Sequence, residues 1–297
     1  MSAIVIAEAS DRPDKIQVLF ALHQGMDTLD FTGPLETLSW ARHNTGGNIE
    51  RDSTTRAFNC VLAAENEQAV TAQGVTIKAN MDFEEAHYNL SDFDVMIVPG
   101  GGTEPILKAN NEPMKLIKAF AELQKKDPSK ERTLLSVCTG SLFLAQAGVL
   151  QGMSATTHPF YYTQLEILCQ EAARKGDLQG TNVMEERYVV NNARFALGEN
   201  EDENPFILKK RPDGRRKSIA RKGSDAWKDG RRRESVIRRA SMKLGGLRLI
   251  TAGGVSAGID ASLYLVSAMV SHDSALEVAK TIQYDWQKGV TVEGIDV

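Results

Sequence analysis

Apolar residues along this chain gather in short continuous runs that are separated by longer stretches of helix-forming residues. Four of the runs have the length and apolar content of buried strands: residues 16–22, 94–98, 133–137 and 247–252. Helices are predicted near residues 33–41, 104–108, 112–125, 161–174, 257–270 and 274–286. This alternation predicts an α/β fold, with a doubly wound, mostly parallel sheet and helices on both faces.

Three chemically distinctive segments each follow one of these predicted strands. Asp30 comes after the first strand, Gly100, Gly101 and Gly102 come after the second, and Cys138 comes after the third. In such sheets ligands bind beyond the carboxyl ends of the strands, so all three segments are expected at one edge. The sequence therefore predicts a functional site at that edge.

Cys138 lies at a predicted corner between a strand and a helix, because an apolar run ends there and helix formers begin soon after. At such an elbow, the N–H groups and the positive end of the following helix favour a negative charge. This predicts a lowered thiol pKa and a nucleophilic role. The alternative is a small buried hydrophobic residue, which is the commoner role of a free cysteine.

Asp30 has the apolar neighbours Leu29, Phe31 and Pro34, so its carboxyl is expected to stay protonated. In that form it can donate a hydrogen bond to a nearby thiolate or give a proton to a substrate. The alternative role for Asp30 is capping of a helix. His158 is the obvious base for a cysteine–histidine pair, although a lone histidine in a loop is more often structural.

The glycine run at residues 100–102 permits positive φ angles and close backbone approach, so its N–H groups are expected to face an oxyanion. The run does not follow the Gly-x-Gly-x-x-Gly spacing, and it is therefore not interpreted as a dinucleotide site. A plain turn is an equally good interpretation of these residues taken alone.

Composition indicates a globular protein in a reducing compartment. Of the 297 residues, 42% are hydrophobic and 25% are charged, and the formal net charge of -4 indicates no polyanion partner for the whole chain. The three cysteines, Cys60, Cys138 and Cys169, are too few and too scattered for a disulfide framework or a zinc site, so no metal is expected. No apolar run approaches the ~18 residues of a membrane span, and a cytoplasmic location is expected, with the nucleus as an alternative.

The domain organisation follows from where the pattern begins, breaks and resumes. Residues 1–15 are interpreted as a loose leader, and residues 16–290 as a single domain. A segment at about 198–246 has little apolar periodicity and many clusters of lysine and arginine, which predicts a disordered basic insertion in one loop. Nucleic-acid binding is not expected, although the insertion leaves non-specific contact open.

Three serines in this segment each follow an arginine pair by two residues. They are Ser218, Ser235 and Ser241, and their spacing resembles the consensus of basophilic protein kinases. Phosphorylation there would cancel positive charge in the insertion. The alternative, a solvated basic linker, is favoured because runs of charge usually have that role.

Five motifs, in this order along the chain, resemble those of the DJ-1/PfpI superfamily. They are DFTGP at 30–34, VPGG at 98–101, SVCTGS at 136–141, ATTH at 155–158 and TAGGVSAGID at 251–260. Within the superfamily they are most similar to isonitrile hydratase (isocyanide hydratase). The resemblance implies a flavodoxin-like fold related to the class I glutamine amidotransferases, a homodimer, a small-molecule substrate and no cofactor.

The resemblance also implies roles for individual residues. Cys138 matches the nucleophile, Asp30 the acid that orients it, and Thr139 a neighbouring hydroxyl. The superfamily more often has glutamate beside the cysteine, whereas isonitrile hydratase has aspartate, as in this chain. The implied reaction is thiolate attack on the terminal isonitrile carbon, followed by protonation and hydration to an N-substituted formamide.

Two departures from related patterns bear on the function. Pro159 stands where isonitrile hydratase has tryptophan, which changes the wall of the pocket and leaves the substrate open. Thr139 stands where the glyoxalase-like and protease-like members usually have histidine, so those two functions are less favoured. The alternatives to a hydratase are a non-catalytic protein in which Cys138 is a redox sensor, and a cysteine hydrolase that acts on another small electrophile.

Overall fold

A computed structural model describes residues 14–43, 56–176, 179–192, 207–210, 239–287 and 289–292. Most of the predicted leader and most of the predicted insertion, including Ser218 and Ser235, lie outside the described residues.

The described chain alternates strands and helices from its start. The strands are β1 (Ile16–Ala21), β2 (Phe58–Ala64), β3 (Gln68–Val70), β4 (Thr76–Lys78), β5 (Met81–Asp82), β6 (Val95–Val98), β7 (Thr133–Val137), β8 (Ser154–Ala155), β9 (Asn182–Val183), β10 (Tyr188–Asn191), β11 (Ile207–Lys210), β12 (Arg248–Ala252) and β13 (Gly289–Val292). The helices are α1 (Thr28–Trp40), α2 (Phe83–Tyr88), α3 (Glu104–Ala109), α4 (Met114–Lys126), α5 (Gly140–Gln146), α6 (Tyr162–Lys175), α7 (Ala257–Met269) and α8 (His272–Thr281). Within the described ranges, no helix combines the length and apolar character that crossing a bilayer requires.

Among the described residues, nine strands form the main sheet, in the order β11-β13-β10-β12-β7-β6-β1-β2-β5. The strands from β12 to β5 run parallel to one another. Strand β10 pairs antiparallel with β12, and β13 and β11 continue in the direction of β10. The predicted doubly wound, mostly parallel sheet is confirmed, with an antiparallel edge that the sequence did not predict.

The core lies in two layers on either side of this sheet. Successive residues of β1 alternate between them: Val18 and Phe20 belong to one apolar cluster, and Leu19 and Ala21 belong to the other. Helices α1, α7 and α8 cover the first face, and α2 to α6 cover the second. Because the central parallel strands β1, β6 and β7 are covered on both faces, they are largely apolar and buried, which is why their short runs were recognisable.

Helix α1 begins earlier than the sequence predicted. It starts at Thr28, directly after Asp27, so Pro34 lies inside the helix rather than at its first position. Asp30 is therefore in the first turn and fully buried, and it is not a cap. Pro34 has no N–H to donate to the carbonyl of Asp30, and the helix continues because its apolar face packs against α7.

The structure differs from the predicted disordered insertion at 198–246 in two places. Residues 207–210 form β11, which pairs in parallel with β13. Residues 239–246 form helical turns that are fixed to the domain, since the Gln124 side-chain amide donates to the Gly245 carbonyl at 3.0 Å. The sheet also extends to Val292, past the predicted end at residue 290.

Ser241 lies in the ordered part of this segment and is exposed. However, Arg239, which belongs to its arginine pair, is only 6% exposed, and its Nη1 lies 2.6 Å from Oε1 of Glu131. A kinase that recognises an extended basic peptide cannot reach this guanidinium while the turn is closed. The geometry therefore disfavours the kinase interpretation at Ser241.

The crossing of α7 over β7 gives a test of the packing. A Cβ at Gly258 would lie 2.9 Å and 3.1 Å from the two γ-methyl carbons of Val137, a fully buried β-branched residue with little freedom to move. We predict that Gly258→Ala lowers the free energy of unfolding by about 1–3 kcal/mol, although alanine has the better helix propensity.

Urea unfolding followed by circular dichroism measures this effect. Gly180→Ala is the matched control, because a Cβ there would have no heavy atom within 4 Å, and its change should stay within about 0.5 kcal/mol. Equal stability of Gly258→Ala and the native protein would contradict the close contact.

Candidate active site

Three loops meet at the carboxyl ends of β1, β6 and β7, as the sequence predicted. The Asp27 N–H donates to the Gly100 carbonyl at 3.1 Å, and the Gly102 N–H donates to the Gly25 carbonyl at 2.8 Å. These two bonds join the loop after β1 to the glycine loop after β6. The Cys138 N–H donates to the Ala252 carbonyl at 3.0 Å, which joins the third loop to the end of β12.

Cys138 occupies the elbow between β7 and α5 in a strained conformation. Its φ angle is 57°, in the left-handed region that residues with a side chain rarely adopt. The hydroxyls of Ser141 and Thr157 both donate to the Cys138 carbonyl oxygen at 3.1 Å, which holds the peptide in this orientation. The side chain is only 3% exposed, so the thiol lies in a recess and not on the open surface.

Asp30 places a fully buried carboxyl group beside this thiol. Its Oδ2 accepts a hydrogen bond of 2.9 Å from the Gly100 N–H. Its Oδ1 is buried without a conventional hydrogen-bond partner in the described chain, and the neighbouring Cys138 thiol interacts with the carboxyl. A carboxyl with one anchored and one uncommitted oxygen is suited to proton exchange with the sulfur.

Burial controls the protonation of both groups. It raises the pKa of Asp30 to about 7, against the opposing effect of the Gly100 N–H. Burial, with a smaller contribution from the negative charge of Asp30, raises the pKa of Cys138 to about 12. The sequence predicted a lowered thiol pKa, and the structure gives the opposite direction. Near neutral pH the thiol therefore keeps its proton, while Asp30 exists in both protonation states.

Thr139 connects the elbow to the glycine loop. Its hydroxyl accepts from the Gly101 N–H at 2.8 Å and lies 3.1 Å from the Gly101 carbonyl oxygen. The backbone N–H and the hydroxyl of Thr139 both favour the thiolate, and they partly offset the rise in the pKa of Cys138. Thr139 is thus a neighbour of the sulfur, as the resemblance implied, and also a structural link.

The glycine loop does not present its N–H groups to a ligand. The Gly100 N–H donates to Asp30, the Gly101 N–H to Thr139 and the Gly102 N–H to Gly25. The predicted oxyanion role for these groups is therefore not supported by the geometry. The glycines instead permit close packing, because a Cβ on Gly100 would lie 2.5 Å from the Thr139 nitrogen.

His158 is not joined to the sulfur. Its Nδ1 accepts from the Phe160 N–H at 3.2 Å, so the side chain caps the short helix that follows. Within the described chain, the titratable groups that act on the Cys138 thiol are Asp30 and Asp27, and His158 is not among them. The geometry therefore favours the structural interpretation of His158.

Sequence reasoning missed two residues of the site, Asp27 and His23. The nearest ligand atoms of Asp27, Asp30 and Cys138 all lie within 4.8 Å of one another, an arrangement that a metal ion could also use, although none was predicted. The spacing of Asp27 and Asp30, one helical turn apart, was the available signal. No sequence pattern marked His23, because only the fold brings its ring next to the Pro99 carbonyl at the start of the glycine loop.

Comparison with known proteins gives the family of this chain. The model of the DJ-1/PfpI family matches residues 16–196, which is more than half of the chain. The chain belongs to the DJ-1/PfpI family. Among its relatives is the isonitrile hydratase of Pseudomonas putida, 29% identical over 153 residues, which are 52% of this chain and 57% of that protein. A deglycase of Pyrococcus abyssi is 31% identical over 101 residues, which are 33% of this chain and 55% of that protein.

The alignments with both curated relatives span little more than half of their length. Comparison with solved structures extends the similarity in fold over most of this chain. Drosophila melanogaster DJ-1beta covers 92% of this chain with all of its own length, at a TM-score of 0.52 and 15% identity. At that identity the likeness shows the fold, which is flavodoxin-like as the resemblance implied.

The charge of Asp30 should oppose ionisation of the thiol. We predict that Asp30→Asn lowers the pKa of Cys138, by about one pH unit, because the negative charge beside the sulfur is removed. The rate of iodoacetamide alkylation at Cys138, followed by mass spectrometry against pH, measures the shift. Asp27→Asn is a graded control and should shift the profile less, in the same direction. A profile that moves to higher pH in Asp30→Asn would contradict the argument.

The raised pKa of Asp30 also has a consequence for stability. Between the ordinary value of 3.8 and about 7, the unfolded chain is ionised at this residue while the folded protein keeps the proton. Stability contributed by Asp30 is therefore present below about pH 4 and is lost as the pH rises through 7. We predict that Asp30→Asn is more stable than the native protein at pH 8, by on the order of 2–4 kcal/mol, and equal to it at pH 4.

Thermal and urea unfolding at the two pH values measure this difference. Asp92→Asn, on the surface, serves as the control for the loss of one carboxylate. A native protein that is more stable than Asp30→Asn at pH 8 would show that the buried charge is compensated.

Proposed function

We propose that this DJ-1/PfpI protein hydrates isonitriles to N-substituted formamides, with Cys138 as the nucleophile and Asp30 as the group that moves the proton. The observation that carries this proposal is the buried pair itself, a protonated thiol beside a carboxyl that has one uncommitted oxygen and a pKa of about 7. The similarity to isonitrile hydratase, 29% identity over 153 residues, supports the choice of substrate.

In the first step, the sulfur and the proton of the thiol both add to the terminal carbon of the isonitrile. Asp30 accepts the thiol proton as the sulfur attacks, and a carbon–sulfur bond forms. The same carboxyl then gives the proton to that carbon, which produces a thioimidate in which nitrogen and carbon share a double bond. Asp30 returns to the carboxylate form, so it gains and loses one proton in this step.

The second step hydrates the thioimidate and releases the sulfur. Asp30 removes a proton from water, the water oxygen bonds to the same carbon, and the nitrogen takes the proton. The carbon–sulfur bond then breaks, the formamide leaves, and Cys138 recovers its proton through Asp30 from the hydroxyl of the intermediate. One isonitrile and one water give one formamide, and both residues end as they began.

A pKa of about 7 suits Asp30 to both directions of this transfer, because a general acid–base group works best near the operating pH.

The same geometry weighs against the redox-sensor alternative. Peroxide reacts with exposed thiolates of low pKa, whereas Cys138 is 3% exposed and its pKa is raised. A homodimer and a cytoplasmic location stay predictions from the resemblance and the composition.

Formamide production from a simple aryl or alkyl isonitrile tests the proposal. We predict turnover by the native protein, no detectable turnover by Cys138→Ala, and a loss of about 10²–10⁴-fold in kcat for Asp30→Asn. Cys169→Ala is the matched control, since it removes a buried thiol from α6, and it should keep full activity.

The two measurements on Asp30→Asn separate its roles. If this variant has a more ionised thiol and yet a slower reaction, Asp30 is needed to move the proton and not to make the thiolate. Absence of isonitrile turnover in the folded native protein would refute the hydratase proposal. Turnover of a different electrophile that still depends on Cys138 would then favour the hydrolase alternative.

A further inference from the structure

His23 is a buried histidine that the proposed reaction does not use. It follows β1 and is 5% exposed, and its ring packs edge-on against Phe143 of α5 at 5.2 Å between centroids. Its Nδ1 lies 3.0 Å from the Gln24 carbonyl oxygen, and its Nε2 lies 3.2 Å from the Pro99 carbonyl oxygen. The ring therefore contacts all three segments that build the site.

The Pro99 carbonyl and the Gly100 N–H belong to the same peptide group. On one side of that group, Nε2 of His23 lies 3.2 Å from the oxygen, and on the other side the N–H donates to Oδ2 of Asp30 at 2.9 Å. The peptide bond is planar, so a donor that fixes the direction of the C=O also fixes the direction of the N–H. Donation to the carbonyl oxygen further polarises the amide, which makes its N–H a stronger donor.

We propose that His23 is a positioning residue for Asp30, which donates from Nε2 to the Pro99 carbonyl and acts on the carboxyl through the Pro99–Gly100 peptide group. The proposal assigns the proton of the neutral ring to Nε2. In this proposal the Pro99–Gly100 peptide group transmits the influence of the buried His23 ring to the Asp30 carboxyl.

The expected consequence is that His23 keeps the pKa of Asp30 lower than it would be without this donor. The Gly100 N–H bonds to the carboxylate form, so a strengthened bond favours ionisation and opposes the effect of burial. The titratable groups that face this carboxyl are Asp27 and Cys138, and Asp27 also faces His23. Among the described side chains, the hydrogen bond to the Pro99 carbonyl oxygen involves His23 and neither of these two groups.

A titration of Asp30 tests the proposal without any substrate, so its outcome is separate from that of the hydratase proposal. Aspartate labelled with ¹³C at Cγ is followed by NMR from pH 4 to 9, and the Asp30 signal is identified by its absence in Asp30→Asn. We expect His23→Phe, which keeps an aromatic ring but has no donor, to raise the midpoint by about half a pH unit. His23→Gln, whose amide can donate to Pro99, should recover at least half of that shift.

His87→Phe is the matched control, because His87 is a half-buried histidine on α2 that pairs with Glu112 and not with the site. Its titration should equal that of the native protein. An unchanged or lowered midpoint in folded His23→Phe would overturn the proposal, and so would equal shifts in the Phe and Gln variants. If His23→Phe does not fold, the ¹⁵N signals of the native protein decide, and a His23 ring without a proton on Nε2 overturns the assignment.

Discussion

The site depends on one close contact between two backbones, that of the glycine loop and that of the cysteine elbow. A Cβ on Gly100 would lie 2.5 Å from the Thr139 nitrogen, and a Cβ on Gly140 would lie 2.5 Å from the Val98 carbonyl oxygen. Only glycine fits on both sides, so the loop after β6 can rest directly on the start of α5. This contact allows the Gly100 N–H to reach Asp30 while the next N–H, that of Gly101, reaches Thr139 of the elbow.

The protonation of the site follows from how deeply this contact buries it. A thiol at the start of a helix is favoured as thiolate when water and the N–H groups can reach it. Here the sulfur is 3% exposed and lies beside a carboxyl, and both effects favour the neutral thiol. The acid and the nucleophile therefore share protons as a coupled pair, and neither is permanently charged.

The flavodoxin-like scaffold of the family supports several activities, and a few residues at the carboxyl edge set the difference between them. At this edge the chain has an aspartate on α1 and a threonine directly after the cysteine. Arg239 pairs with Glu131 at the opposite end of the sheet, where Glu131 precedes β7 and Arg248 begins β12. This ion pair is thus remote from the candidate active site.

The sequence by itself determined the parallel strands, the helices and the meeting of Asp30, the glycines and Cys138 at one edge. These depend on local periodicity and on the general geometry of parallel sheets, both of which can be recognised along the chain. Only the tertiary structure decided the start of α1, the antiparallel edge, the partners of the glycine N–H groups, the place of His23 and the direction of the thiol pKa. Each of these is set by contacts between residues far apart in the chain, because burial and hydrogen-bond partners depend on which segments the fold brings together.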